Sequence, residues 1–341
     1  MPLTPIVGIS PLRQLQLGLE TTFKTIVPAT RRLPWQMSAF STPPGWTFPQ
    51  ADTGTIDEAI APYGTAQNYT ASFGGPLASN DAPTVISAGV MGGLSLATSG
   101  TSKSLTAAPA STSQDVFDTY SMEWGDDSTD IFNVGGCVIN DFSLTYPQDG
   151  SPIVLAGNWI MSKLGTYPGS FTGALSVDLA PVYLYATDTE FYINDTSGAI
   201  ETTKLTDIAY GAVFSVNNSL DAKRFANGSN TRLQIQNFGR GKRVVNFTLT
   251  GAKQTAWVAE ATKWLAASPS ERFFGIKTTS TVAASAGIPH SLDIRMPGYW
   301  LTRAEQTINT NTGFDLVAQN VNDTGLGYPF RIVSVSTRSA L

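Results

Sequence analysis

The sequence predicts a mainly β protein: two tandem β-sandwich or barrel-like domains, each with one packed α-helix. Three observations carry that expectation. Charged residues make up only 14% of the 341 residues, against ~25% in an ordinary globular chain. Thr, Ser, Asn and Gly fill the gap, a mixture suited to half-wet strands and turns. Apolar and polar residues alternate in segment after segment, the period of a strand with one buried face. Only two stretches carry a helical signal, and they lie about half the chain apart.

The first alternating segment is Leu15-Gln16-Leu17-Gly18-Leu19. Residues 36–66 follow as a long irregular loop, where Ser41-Thr42-Pro43-Pro44-Gly45 and Pro49 exclude regular structure. The loop holds Trp46, Phe48 and Tyr63. Disordered linkers are poor in aromatics, so the loop is expected to be ordered by contact with something. Asn68 to Phe73 reads as a strand. Asp81-Ala82-Pro83 reads as a helix start, with Asp81 as cap and proline in the first turn. That helix is expected to run to Met91 and stop at Gly92-Gly93. Residues 97–114 are low-complexity Ser/Thr/Ala and read as a mobile loop.

A hairpin signal follows. Val138, Asn140, Phe142, Leu144 and Tyr146 fall on one face of a strand, Pro147 to Pro152 make a turn, and Ile153, Leu155, Gly157 and Trp159 face inward on the return. Further strand signals cover 180–193, 207–216, 231–237 and 243–250, the last two flanking a basic turn at Asn237 to Lys242. The second helix is expected over about 252–267, with Trp257, Ala261, Trp264 and Leu265 as its apolar stripe and Ser268-Pro269 as its stop. Strands resume at 272–279, 290–304 and 328–337. Asn68-Tyr69-Thr70 leads through a strand into the first helix, and Asn246-Phe247-Thr248 leads through a strand into the second, a faint internal echo. Gly165, Pro168 and Gly169 mark a boundary between domains of 1–170 and 171–341.

Charge is uneven. Residues 1–150 carry 13 acidic and 5 basic side chains, a balance of -8, and residues 151–341 carry 13 and 16, a balance of +3, which together give the net -5. A nucleic-acid binder needs a clustered basic surface, and none is legible. One cysteine, Cys137, excludes an intrachain disulfide and sits in an apolar-alternating stretch as a buried strand residue. The start, Met1-Pro2-Leu3-Thr4-Pro5, has no basic region leading into an apolar run, so no export leader is expected. No apolar run reaches the ~18 residues of a membrane helix.

The catalytic inventory is nearly empty, and the chain is expected to be no enzyme and to bind no cofactor or metal. His290 is the single histidine, so the usual zinc ligand sets cannot form and a serine hydrolase would rest on it alone. Gly239-Arg240-Gly241-Lys242 resembles the end of a phosphate loop, but Gln236 stands where the motif needs Gly and Arg243 where it needs Ser or Thr. The acidic residues Asp115, Asp118, Glu123, Asp126, Asp127 and Asp130 fit no complete EF-hand spacing and read as a solvated face.

The run Gln16-Leu17-Gly18-Leu19-Glu20-Thr21-Thr22-Phe23, with Thr25, Pro28-Ala29-Thr30-Arg31 and Leu33-Pro34, resembles the opening of the major tail tube proteins of long-tailed, non-contractile (siphovirus) bacteriophages. Lys24 stands where that family has Gly, which puts the first turn in question. The hairpin Gly136 to Thr145 through Asp149-Gly150 to Gly157-Asn158-Trp159, and Phe330-Arg331-Ile332-Val333-Ser334-Val335, also resemble the family. The resemblance implies β-sandwich or barrel domains with a flanking helix, in rings stacked into a hollow tube. Length and the internal echo favour two fused domains in a trimeric, pseudo-hexameric ring, with a hexamer of single-domain chains as the alternative. The implied partners are further copies of the chain, a tape measure protein and double-stranded DNA in the lumen, and tip and terminator proteins at the ends. The implied location is the virion tail, after assembly in the host cytoplasm.

Under that reading Trp46, Phe48 and Tyr63 become candidate ring-to-ring anchors, since aromatics dominate interface energetics. Asp126, Asp127 and Asp130 become candidates for an acidic lumen that repels DNA. Two other classes stay open: a capsid decoration or tail-terminator protein, and a carbohydrate-binding adhesin that stacks sugars on Trp124, Trp159 or Trp300.

Overall fold

The computed structural model describes residues 13–38, 46–47, 63–64, 66, 69–110, 118–126, 130–173, 175, 177–178, 180–226, 234–308 and 311–338. The chain is mainly β. Its first half gives β1 (Gln14–Leu19), β2 (Arg31–Leu33), β3 (Gln36–Met37), β4 (Trp46–Thr47), β5 (Tyr63–Gly64), β6 (Tyr69–Pro76), α1 (Ala82–Val90), β7 (Leu94–Ser99), β8 (Ser102–Ala107), β9 (Tyr120–Gly125), β10 (Ile131–Tyr146), β11 (Val154–Met161) and β12 (Lys163–Leu164). The second half gives β13 (Thr189–Asn194), β14 (Ala209–Asn217), β15 (Leu220–Lys223), β16 (Asn237–Arg240), β17 (Val244–Ala252), α2 (Thr255–Trp264), β18 (Arg272–Ser285), β19 (Ile288–Ile308), β20 (Asn311–Asn320) and β21 (Arg331–Ser336).

The two halves of the chain repeat one topology, in a register two residues out of step with the sequence echo. In the first half the pairing order is β1-β9-β10-β11-β6, and in the second it is β13-β18-β19-β20-β17. Every pairing in both runs is antiparallel. Each half holds its helix at the same point in the order: α1 follows β6 and packs on β10, and α2 follows β17 and packs on β19. The long strands β10 and β19 each change partner midway. β10 pairs β9 up to Cys137 and β11 from Val138, and β19 passes from β18 to β20 at Gly298. Each then carries a one-residue bulge, at Asn140 and at Leu301. A bulge turns a strand sharply, which lets one strand serve two layers.

β14 pairs β10 on one side and β17 on the other, and β8 pairs β21, so strands from the two halves share ladders. The barrel runs β11-β10-β14-β17-β20-β19-β18-β13. It closes because the segment entering β13 bridges back, Tyr183 to Ala78 and Tyr185 to Pro152.

One apolar core spans both halves. Its aromatic rings touch in series. Trp35 stacks on Phe73, Phe73 meets Trp159, and Trp159 meets Tyr120; in the second half Phe247 meets Phe274, Phe274 meets Trp300, and Trp300 meets Trp257. Each such ring, fully buried, contributes about 1.5–3 kcal/mol. Cys137 is fully buried as expected, and burial pushes its thiol well up.

The turn after β1 is organised by Glu20. Its buried carboxylate accepts hydrogen bonds from Thr119 Oγ1 (2.8 Å), Ser121 Oγ (3.0 Å), and the amides of Gly136 (2.8 Å) and Lys24 (3.0 Å). Lys24 adopts φ +63°, the left-handed region that favours glycine. The turn therefore takes the conformation a glycine would, and the lysine carries the strain.

Several expectations are corrected. Asp81 does not cap α1 through its side chain; its buried carboxylate faces Arg31 at 3.3 Å, and burial raises its pKa against the pull of that guanidinium. Residues 97–114 are not one loop, because β7 and β8 form a hairpin. The Asn140 bulge breaks the expected face, so Val138 and Ile139 are both buried while Asn140 is half-buried. α2 is shorter than 252–267, since β17 runs to Ala252 and the helix stops at Trp264. Leu265, expected on the buried stripe, is the C-cap and is 70% exposed; Glu260 is buried on that side instead. β16 pairs β15 rather than returning along β17. β20 was not anticipated, although Phe314, Leu316 and Ala318 alternate legibly. The irregular loop contains the short strand pair β4–β5.

Candidate functional site

Strand alternation fixes the side chains on the outer face of the sheet β6-β11-β10-β14-β17-β20-β19. Positions that pair directly across a ladder point to the same side. One row reads Gly74, Ala156, Ser143, Ser215, Asn246 and Gln319. The next reads Val154, Thr145, Val213, Thr248, Val317 and Thr302. A third passes Gly211, Thr250, Asp315 and Ala304, and a fourth Ser72, Asn158, Asp141 and Asn217. All of these except the glycines alternate with core residues such as Leu144, Phe214, Phe247 and Leu316.

The rows carry two carboxylates, Asp141 and Asp315, and no lysine or arginine. Asp141 accepts from Asn158 Nδ2 at 2.7 Å and from Asn140 Nδ2 at 3.1 Å. Asp315 accepts from Gln306 Nε2 at 2.7 Å. The face is floored by hydroxyls, amides and methyls with a slight negative charge. Such a surface has no cation to displace the counterions of an anionic polymer.

The sheet ends in two edges. Along 302–307, β19 pairs only β20 among the described residues, and most of those residues are exposed on both faces. At the other end, β3 lies outside β6, with Gln36 opposite Gly74 and Met37 opposite Phe73. Unpaired edges are templates for another chain.

The sequence matches no protein-family model and no curated protein.

Of the residues singled out from the sequence, the described ones do not lie in these rows. Trp46 pairs Gly64 and Tyr63 pairs Thr47 in the β4–β5 ladder; Phe48 lies outside the described residues. Asp126 is buried, with Oδ1 unsatisfied. Asp130 is exposed at the β9–β10 turn and accepts from Tyr167 OH at 2.9 Å. Asp127 lies outside the described residues. The open face carries Asp141 and Asp315, which the sequence reading did not single out. Their positions between the apolar residues of alternating strands were the available signal.

Trp124, Trp159 and Trp300 are each no more than 7% exposed and offer no ring to a sugar. His290 Nδ1 lies 2.8 Å from Ser79 Oγ. Both side chains are sealed from solvent, at 2% and 0% exposure, so no substrate reaches them. The pair joins the segment after β6 to β19, beside Asn80, which accepts from Thr337 Oγ1 at 2.9 Å and donates to Asp178 at 2.8 Å. No group of three or more metal-ligating side chains occurs among the described residues. No helix there is long and apolar enough to cross a membrane.

Proposed function

We propose that this chain is a structural subunit that assembles with its own copies into stacked rings, forming the hollow tail tube of a long-tailed, non-contractile bacteriophage. The observation that carries the reading is the outer sheet face, neutral to acidic and built from small side chains, with an edge at either end that no described strand covers. Duplex DNA carries one charge per ~1.7 Å, and a lysine- or arginine-lined channel would hold it by counterion release. A wall bearing Asp141 and Asp315 lets it slide. Joining unlike edges from copy to copy closes a ring, and stacking contacts that do not close give a filament.

The repeated topology supports two tandem tail-tube-like units per chain, so three chains would give a pseudo-hexameric ring. The tape measure protein and DNA would occupy the lumen in turn, with tip and terminator proteins at the ends, and the chain's place would be the virion tail. No catalytic role is assigned.

Negative-stain electron microscopy of the purified chain, dilute and then concentrated and warmed, tests this. Stacked hollow rings are expected. Discrete rings that never stack would favour a terminator or decoration protein. A monomer under every condition would overturn self-assembly by the chain alone.

A further inference from the structure

The two halves are equivalent in topology but not in what covers them. In the first half the outer edge of β10 is occupied, because β14 lies along it with Asp141 opposite Asn217 and Tyr146 opposite Ala212. In the second half no described strand lies along the matching edge. Aligning the bulges at Asn140 and Leu301 places Asp141 over Thr302 and Tyr146 over Thr307, and β19 pairs only β20 there among the described residues.

The strand that fills the first edge also has a counterpart. β14 lies along β17 on the side away from β20, and β3 lies along β6 on the side away from β11. Following the ladders, Met37 opposite Phe73 corresponds to Ala212 opposite Leu249.

A second, independent difference lies at the helix ends. Met91, the C-cap of α1, is fully buried in a cluster with Val138, Ile235 and Phe238. Phe238 belongs to β16, which pairs β15. Leu265, the C-cap of α2, is 70% exposed. The element that stands to the first half as β15–β16 stands to the second is β4–β5, the pair that contains Trp46 and Tyr63. Each chain therefore holds one completed copy of a docking arrangement and one half-empty copy, and its own first half carries the missing parts.

We infer that a second copy of this chain docks on the vacant half, laying its β3 along β19 in the register of the internal β10–β14 ladder. Its β4–β5 pair then covers Leu265. Met37 of one copy comes opposite Thr307 of the next, and the sheet face continues across the junction. The contact is head to tail, so identical copies propagate it until the ring closes. The inference rests on the self-assembly reading and adds the edges and the register.

The test is a disulfide trap in the full chain. Directly opposed strand residues have Cα atoms ~4.5–5.5 Å apart, inside the ~4.4–6.8 Å that a disulfide spans. Met37→Cys combined with Thr307→Cys, oxidised under conditions that give rings, is expected to yield covalent multimers on a non-reducing gel. Met37→Cys with Thr302→Cys, five residues out of register, is expected to yield none. Leu265→Glu, at an exposed site, is expected to abolish assembly while leaving the melting temperature of the monomer unchanged. Rings that form normally yet stay uncrosslinked, or that tolerate Leu265→Glu, would overturn this docking mode and leave self-assembly standing. A chain that never associates would overturn both.

Discussion

Removing the carboxylate of Glu260 should destabilise the second half more than any surface change. Glu260 is 7% exposed and accepts four hydrogen bonds: Arg272 Nε at 3.0 Å, Arg272 Nη2 at 2.7 Å, Trp300 Nε1 at 3.1 Å and Lys263 Nζ at 3.0 Å. Arg272 is 1% exposed, and burial lowers its pKa to about 10. It keeps one other carboxylate, Asp195, on Nη1, but that side chain is 75% exposed and pairs through solvent-screened contact. Breaking a buried pair by deleting one member costs ~3–5 kcal/mol; with Asp195 retained, Glu260→Ala should cost about 3. At roughly 2–4 °C per kcal/mol for domains somewhat smaller than this one, the melting temperature of the unassembled chain should fall by roughly 6–12 °C. The double variant Glu260→Leu with Arg272→Met removes both charges and fills their volume, so it should recover most of the loss. Thermal melts of the wild type, Glu260→Ala and the double variant decide it. A loss below about 1 kcal/mol for Glu260→Ala, or a double variant no better than the single one, would refute the view that a buried guanidinium deprived of its buried partner sets the cost.

Lys24→Gly should leave stability within about 0.5 kcal/mol, because release of left-handed strain worth ~1–2 kcal/mol offsets loss of the Lys24 Nζ bonds to Ile235 O (3.2 Å) and Gln236 Oε1 (3.0 Å); Lys24→Ala keeps the strain, loses the bonds, and should melt lower than Lys24→Gly. His290 is held neutral by burial, with Asp178 pulling weakly the other way. Its folded pKa lies below the ordinary 6.5, so its contribution is complete above pH ~6.5 and is lost as pH falls through the folded value. Melting curves of the wild type should therefore drop more between pH 7.5 and 5 than those of His290→Gln; parallel curves would count against it. Ser143→Lys, Ser215→Lys and Thr248→Lys together should leave the fold intact and give assembled tubes a salt-sensitive affinity for duplex DNA, read by retention on filters at low and high salt; tubes as inert as the wild type would place this face away from the channel.

Local pattern alone determined much of this protein. The alternation at 244–250, the proline at the start of α1 and the Trp257/Ala261 stripe of α2 each express a short-range preference that the tertiary fold did not need to override; at 15–19 the strand forms, but Gln16 is buried and Leu19 is exposed. The single cysteine was also legible, whereas the faint Asn-aromatic-Thr echo is two residues out of step with the ladders, which match Ala71 rather than Tyr69 with Phe247. What the sequence could not decide depended on partners distant in the chain. β8 looks like a featureless Ser/Thr loop and is a strand because β21 lies beside it, with Thr106 opposite Val333. Asp81 reads as a cap and is an ion-pair partner because β2 brings Arg31 to it. Asp126 reads as a surface acid and is buried, whereas Asp141 and Asp315 reach the open face through bulges and pairings set across the whole chain. Hydrophobic period fixes which side of a strand turns inward. Which strand lies next to it, and so which edge is left bare, is settled only when the two halves close on each other.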